Sequence, residues 1–142
     1  MKGSSLRKPL VLLLTAGALT IPNAAAFASA GKKVTTLRKS FTGVAGSADR
    51  WGEVEVQLVV RKTTTVVGTK KTVTKRIISI RIPVYPNHTD RSYFISQQSL
   101  PYLIQEALQA QSANVQMVSG ATYTSQGFIS SLQDAITKEK AW

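Results

Sequence analysis

The sequence predicts an α+β fold, a small antiparallel sheet with two helices packed on one face. Two runs in the first half, residues 51–61 and 72–85, alternate apolar and polar side chains, which is the period of half-buried strands. Two stripes in the second half recur at helical spacing: Leu100, Leu103, Ile104, Ala107 and Leu108, then Phe128, Ile129, Leu132, Ala135 and Ile136. Each stripe is about as wide as one core-facing side of a helix requires. Charge also divides the chain, since residues 31–91 hold thirteen Lys+Arg against four Asp+Glu and residues 92–142 hold two against three.

In chain order, residues 1–30 read as a signal peptide. Lys2, Arg7 and Lys8 form a positive start, and residues 10–21 form an apolar run of twelve, too short for a membrane span of ~20 residues. Pro22 follows, then the small-x-small sites Ala26-Phe27-Ala28 and Ala28-Ser29-Ala30, which place cleavage near residues 28–30. The expected location is therefore extracytoplasmic, secreted or at the cell surface. Residues 31–42 are polar and basic and read as a spacer. The domain is expected over 43–142, a common size for one core.

Within that domain, 43–47 (GVAGS) reads as loop or irregular strand. In the first strand Val54, Val56, Leu58 and Val60 share one face, with Glu53, Glu55 and Gln57 on the other. In the second strand Ile78, Ile80, Ile82 and Val84 are in phase. The β-branched segment 62–71, which contains Gly68, extends both strands into a long hairpin. Pro83 marks an edge or an ending strand. After the turn-rich residues 86–92, the first helix is expected with Ser96 or Ser99 as N-cap and Pro101 in its first turn. The second helix is expected after Thr124 or Ser125 as cap.

Between the helices lies 115–125 (VQMVSGATYTS), a strand-like run followed by small residues and hydroxyls that open a helix. Gly120 permits backbone geometry that other residues resist, and Ala121 leaves room for a close approach. The first turn of the following helix offers unpaired N–H groups and the positive end of a dipole, which suit a phosphate. Thr122 sits where its hydroxyl lies beside such a group. The same pattern also serves as a plain capping loop.

This chain resembles the FMN-binding domain family, whose members include components of the sodium-pumping NADH:quinone oxidoreductase and of Rnf complexes, and small exported bacterial proteins. The resemblance runs over about residues 43–136. It is carried by Gly46, by WGEVEV at 51–56, by 78–84, by QAQSA at 109–113 and most closely by SGATYTSQGF at 119–128. It implies FMN as cofactor and, in this family, a flavin transferase that uses FAD to attach the FMN phosphate to a threonine. The matching residue is Thr122, with Ser119, Gly120, Ala121, Tyr123, Thr124 and Ser125 around the phosphate end. Family motifs commonly place an Asp three residues before the Ser, where this chain has Gln116, so covalent and non-covalent attachment both stay open. The implied role is electron transfer beside a membrane oxidoreductase, as a carrier rather than a stand-alone enzyme.

Other chemistries find little support. With no cysteine in the chain, disulfides, thiol catalysis and cysteine-bound metals are excluded. His88 is the sole histidine, and one histidine makes neither a metal site nor a triad. Ser119 lacks the glycine two residues earlier that a nucleophile elbow needs, since Met117 stands there. Trp51, Tyr85, Tyr102 and Tyr123 are the aromatics to weigh as flavin-stacking or core residues. The basic surplus implies anionic lipid, wall polymer or an acidic partner, while export argues against nucleic acid. A basic exported module that binds a membrane or wall surface without flavin is the alternative reading.

Overall fold

The computed structural model describes residues 31–142; the export signal expected at 1–30 lies outside the described residues. Its strands are β1 (Lys32–Thr42), β2 (Gly46–Ser47), β3 (Glu53–Val67) and β4 (Lys70–Val84), and its helices are α1 (Asp90–Ala110) and α2 (Thr122–Lys140). The chain divides into two compact units. One holds residues 36–63 and 74–142, with both helices and the core. The other includes 64–73, the end of the β3–β4 hairpin, where Gly68 takes φ 59° in the two-residue turn, as hairpin turns of this length require.

The fold is α+β, as the two periodicities predict. β3 is the central strand and pairs with β1, β2 and β4. β2 runs antiparallel to it, with Gly46 opposite Val54 and Ser47 opposite Glu53. Val54, Val56, Leu58 and Val60 of β3 are fully buried, together with Leu103 and Ala107 of α1 and Phe128, Leu132 and Ala135 of α2. Both helices share this core with one face of the sheet. Burying a side chain of the Val, Leu or Phe class contributes about 1.5–3 kcal/mol, so this cluster is the main source of stability in the larger unit.

Four expectations are corrected. Residues 31–42 are not a spacer: Lys32–Thr42 form β1, whose side chains are exposed up to Ser40 and buried only at Phe41. A strand held by backbone pairing at an edge needs no apolar alternation, so its sequence looks like linker. Trp51 belongs to a 3-10 turn, Asp49–Trp51, ahead of β3. In β4 the buried residues are Ile77 and Ile80, three apart, so the alternation slips by one between them as at a bulge. There the Gln111 side chain replaces a neighbouring strand, accepting from Ile77 N–H (2.8 Å) and donating to Ile77 O (3.0 Å).

The helix starts are the fourth correction. α1 begins nine residues before Ser99, capped by Thr89 in a complete capping box with Ser92. Ser96 and Ser99 are buried inside it, their hydroxyls donating to Pro86 O and Ile95 O at 2.8 Å, and Pro101 is interior. α2 begins at Thr122, with Ala121 as N-cap, so neither Thr124 nor Ser125 caps it.

α2 is seated by close backbone contact and by polar side chains. A Cβ on Gly127 would lie 2.9 Å from Gly46 O, so β2 and α2 approach closely only because both positions are glycine. Ser131 Oγ accepts from the buried Val56 N–H at 2.9 Å. Asp134 accepts from Val44 N–H and pairs with Lys138, whose ammonium also donates to Thr42 O at 2.8 Å. Lys138, and then the Val44 N–H, hold the Asp134 carboxyl below its ordinary range.

Candidate functional site

The site is built where α2 begins. Ala121, a residue without a side-chain acceptor, occupies the N-cap position, and no side chain caps this helix. The first helical bond joins Ser125 N–H to Ala121 O at 2.9 Å. The N–H groups of Thr122, Tyr123 and Thr124 precede it and have no partner within the helix. No acidic residue occupies the first turn, so the positive end of a 19-residue helix is uncompensated by its own side chains.

The approach to that end is fixed from inside. Gly120 has φ 80°, a left-handed conformation that favours glycine. A Cβ at Gly120 would meet nothing within 4 Å, so the constraint there is conformational rather than steric. Ala121 N–H donates to Val118 O at 3.0 Å, closing the turn. Ser125 Oγ accepts from Val118 N–H (3.0 Å) and donates to Ala121 O (2.8 Å). On the other side Glu106 of α1 accepts from Gln116 N–H at 3.1 Å, leaving its second carboxylate oxygen buried without a partner among the described residues.

Beside the open helix end is a small cleft lined by Trp51, Pro86, Ser92, Ile95, Gly120, Ala121, Thr122, Tyr123 and Thr124, with a volume of about 40 Å³. A single water needs ~10–15 Å³ on that measure, so the cleft accepts one compact polar group and cannot enclose a large ring. A flat ligand anchored there would lie along the rim, where Trp51 and Tyr123 stand and Tyr123 is 47% exposed. The Arg50 guanidinium lies 5.2 Å from the centroid of the Trp51 ring, bringing a cation to the cleft wall.

The residues expected at the site divide accordingly. Thr122 is exposed as the first residue of α2, and Ser119 and Gly120 are exposed in the turn before it. Gly120, Ala121, Thr122, Tyr123 and Thr124 meet at the cleft, and Ser119 is not among its lining residues. Ser125 does not: it is fully buried and its hydroxyl is committed to Val118 and Ala121, so it positions the turn rather than touching a ligand. Among the aromatics, Trp51 and Tyr123 reach the cleft, Tyr85 lines a separate groove with Ile80 and Leu100, and Tyr102 is exposed on α1. Pro86, Ser92 and Ile95 were not anticipated. The only local signal for them was the turn-rich link into α1, which also supplies that helix's cap.

A family model described as the FMN-binding domain matches residues 49–137, a span that runs from the 3-10 turn before β3 to near the end of α2. No curated protein matches the chain.

Proposed function

The chain belongs to the FMN-binding domain family and binds FMN, and from that premise we propose that it is an exported electron carrier whose FMN is esterified to Thr122. One observation carries this reading: an exposed threonine stands at a helix end without a side-chain cap, with three N–H donors and no carboxylate in its own first turn. These residues fit a phosphate-bearing flavin. The N–H groups of Thr122, Tyr123 and Thr124 suit phosphate oxygens, while Trp51, Pro86, Ile95 and Tyr123 supply an apolar flank for a ring.

Attachment follows from the chemistry of the hydroxyl. Thr122 Oγ attacks the flavin-side phosphorus of FAD, supplied by a flavin transferase. The new Oγ–P bond forms as the bond to the bridging pyrophosphate oxygen breaks; AMP departs, and the threonine proton passes to a base of the transferase or to solvent. FMN, once bound, supplies the redox chemistry. The chain supplies the anchor, the donors for the phosphate and a shallow cleft that leaves a ring accessible to a partner. A membrane oxidoreductase is the proposed electron partner, and the short apolar run and small-residue cleavage sites of residues 1–30 support export.

The test is coexpression with a flavin transferase, followed by intact mass and visible spectrum. The expected product is yellow and heavier by one FMN less one water. Thr122→Val, which keeps the shape but removes the hydroxyl, is expected to lose the covalent increment entirely. A full covalent load on that variant would move the attachment to another residue.

A further inference from the structure

The face of the sheet opposite the core carries a row of arginines. Its direction is set by Gln57, whose side chain donates to Thr42 Oγ1 at 3.4 Å on the side away from buried Val56 and Leu58. That contact, with Gly43 N–H to Val56 O at 2.8 Å, fixes the register of β1 against β3. Counting along antiparallel strands from there places Arg38 opposite Arg61. The two-residue turn at Gly68 and Thr69 fixes the register of β3 against β4 and places Arg61 opposite Arg76. All three side chains are exposed, and the row crosses three adjacent strands at about 5 Å per step.

Like charges directly opposite one another destabilise a sheet. Among the described residues none of the three arginines forms an ion pair: the salt bridges there are Lys75–Glu139 and Lys138–Asp134. The acids on this face of β3, Glu53 and Glu55, begin six residues from Arg61, about 20 Å along a strand and beyond effective screening distance. A row kept at a cost to folding and left without internal neutralisation is matched to an external anion.

We propose that the Arg38–Arg61–Arg76 row docks the protein on an anionic phospholipid bilayer. Guanidinium forks match phosphate oxygens, and the exposed hydroxyls of Thr36 and Ser40 on the same face of β1 add donors. The row lies on an open sheet face, which suits an extended surface of headgroups. The half-buried outward residues between the arginines and the acids, Gln57, Val59 and Ile78, are not aromatic, so among the described residues this stretch offers none of the aromatic anchors typical of a protein interface. Among the described residues no helix is long and apolar enough to cross a membrane. The row would form the membrane side of the proposed electron carrier, and it uses none of the flavin residues.

The experiment is cosedimentation of protein coexpressed with a flavin transferase, using vesicles of phosphatidylcholine alone or mixed with phosphatidylglycerol, at low and high salt. Salt-sensitive binding to mixed vesicles only is expected. Arg38→Gln, Arg61→Gln and Arg76→Gln should each weaken it about fivefold, and the triple variant about 100-fold. A charge-matched triple, Lys33→Gln with Arg91→Gln and Lys140→Gln, should weaken it far less. The single variants carry the test should the triple fail to fold. Equal losses in both triples, undiminished binding of the arginine triple, or binding to soluble DNA or an acidic protein but not to vesicles would overturn the proposal. Intact mass of the same samples separates the two readings: unflavinylated protein that still sediments defeats the attachment to Thr122 and leaves the docking row standing.

Discussion

α1 and α2 have similar lengths, 21 and 19 residues, yet they begin in opposite ways. At α1, Thr89 accepts from Ser92 N–H at 3.0 Å, Ser92 returns the bond to Thr89 N–H at 3.1 Å, and Asp90 adds a carboxylate to the first turn. That end satisfies its own donors and its own dipole. At α2 the cap is Ala121, the first turn has no acid, and the Ser125 hydroxyl is turned inward. The open end therefore is not a weakly built one. Its turn is braced from beneath by Ser125 and from the side by Glu106, so its donors stay free while its shape is held.

This contrast can be broken at the brace first. Ser125→Ala removes the acceptor for Val118 N–H and the donor to Ala121 O, and is expected to cost about 1–3 kcal/mol. Denaturant unfolding should show that loss and flavin loading should fall with it; unchanged loading would mean the turn holds its shape unaided. Thr89→Ala opens the closed end instead. It should cost about 1 kcal/mol and leave flavin loading intact, because Thr89 does not line the cleft.

A smaller effect closes the open end. Tyr123→Glu places a carboxylate in α2's first turn, where it should stabilise the helix by about 0.3–1 kcal/mol while repelling a phosphate. Tyr123→Gln separates charge from loss of the ring, and only the Glu variant should be both more heat-stable and poorly loaded. The smallest effect is at Asp134, partly exposed and held below its ordinary value by Lys138 and then the Val44 N–H. A carboxylate with a depressed folded pKa adds stability above its unfolded value and loses it as pH falls through the folded one. Asp134→Asn should therefore lower stability at neutral pH slightly, with the difference from wild type shrinking as pH falls below about 4 and vanishing only once the folded carboxyl is protonated. Unfolding midpoints measured across that range check the sign.

The stretches legible in advance are those whose burial follows their own period. Val54, Val56, Leu58 and Val60 announce their face of β3, and Phe128, Leu132 and Ala135 announce that of α2, because each packs the same way at every repeat. The SGATYT segment was legible as well, since a turn glycine and small residues before a helix constrain the local backbone whatever surrounds them. Ser125 departs from expectation for a related reason: a serine near a helix start is an ordinary cap candidate. Only the path of the preceding loop, with Val118 N–H lying over its hydroxyl, shows that it faces inward.

By itself, then, the sequence determined the class of fold, the core faces of β3 and both helices, and the small-residue turn that opens α2, all of them properties of neighbours along the chain. Tertiary structure alone decided that the polar segment 32–42 is a strand, that Gln111 and Ser131 complete the sheet's bonding, and that three arginines far apart in sequence share one line. The reason is physical: hydrogen bonds and cross-strand neighbours between distant residues leave no periodic trace in composition, so they exist only once the strands have paired.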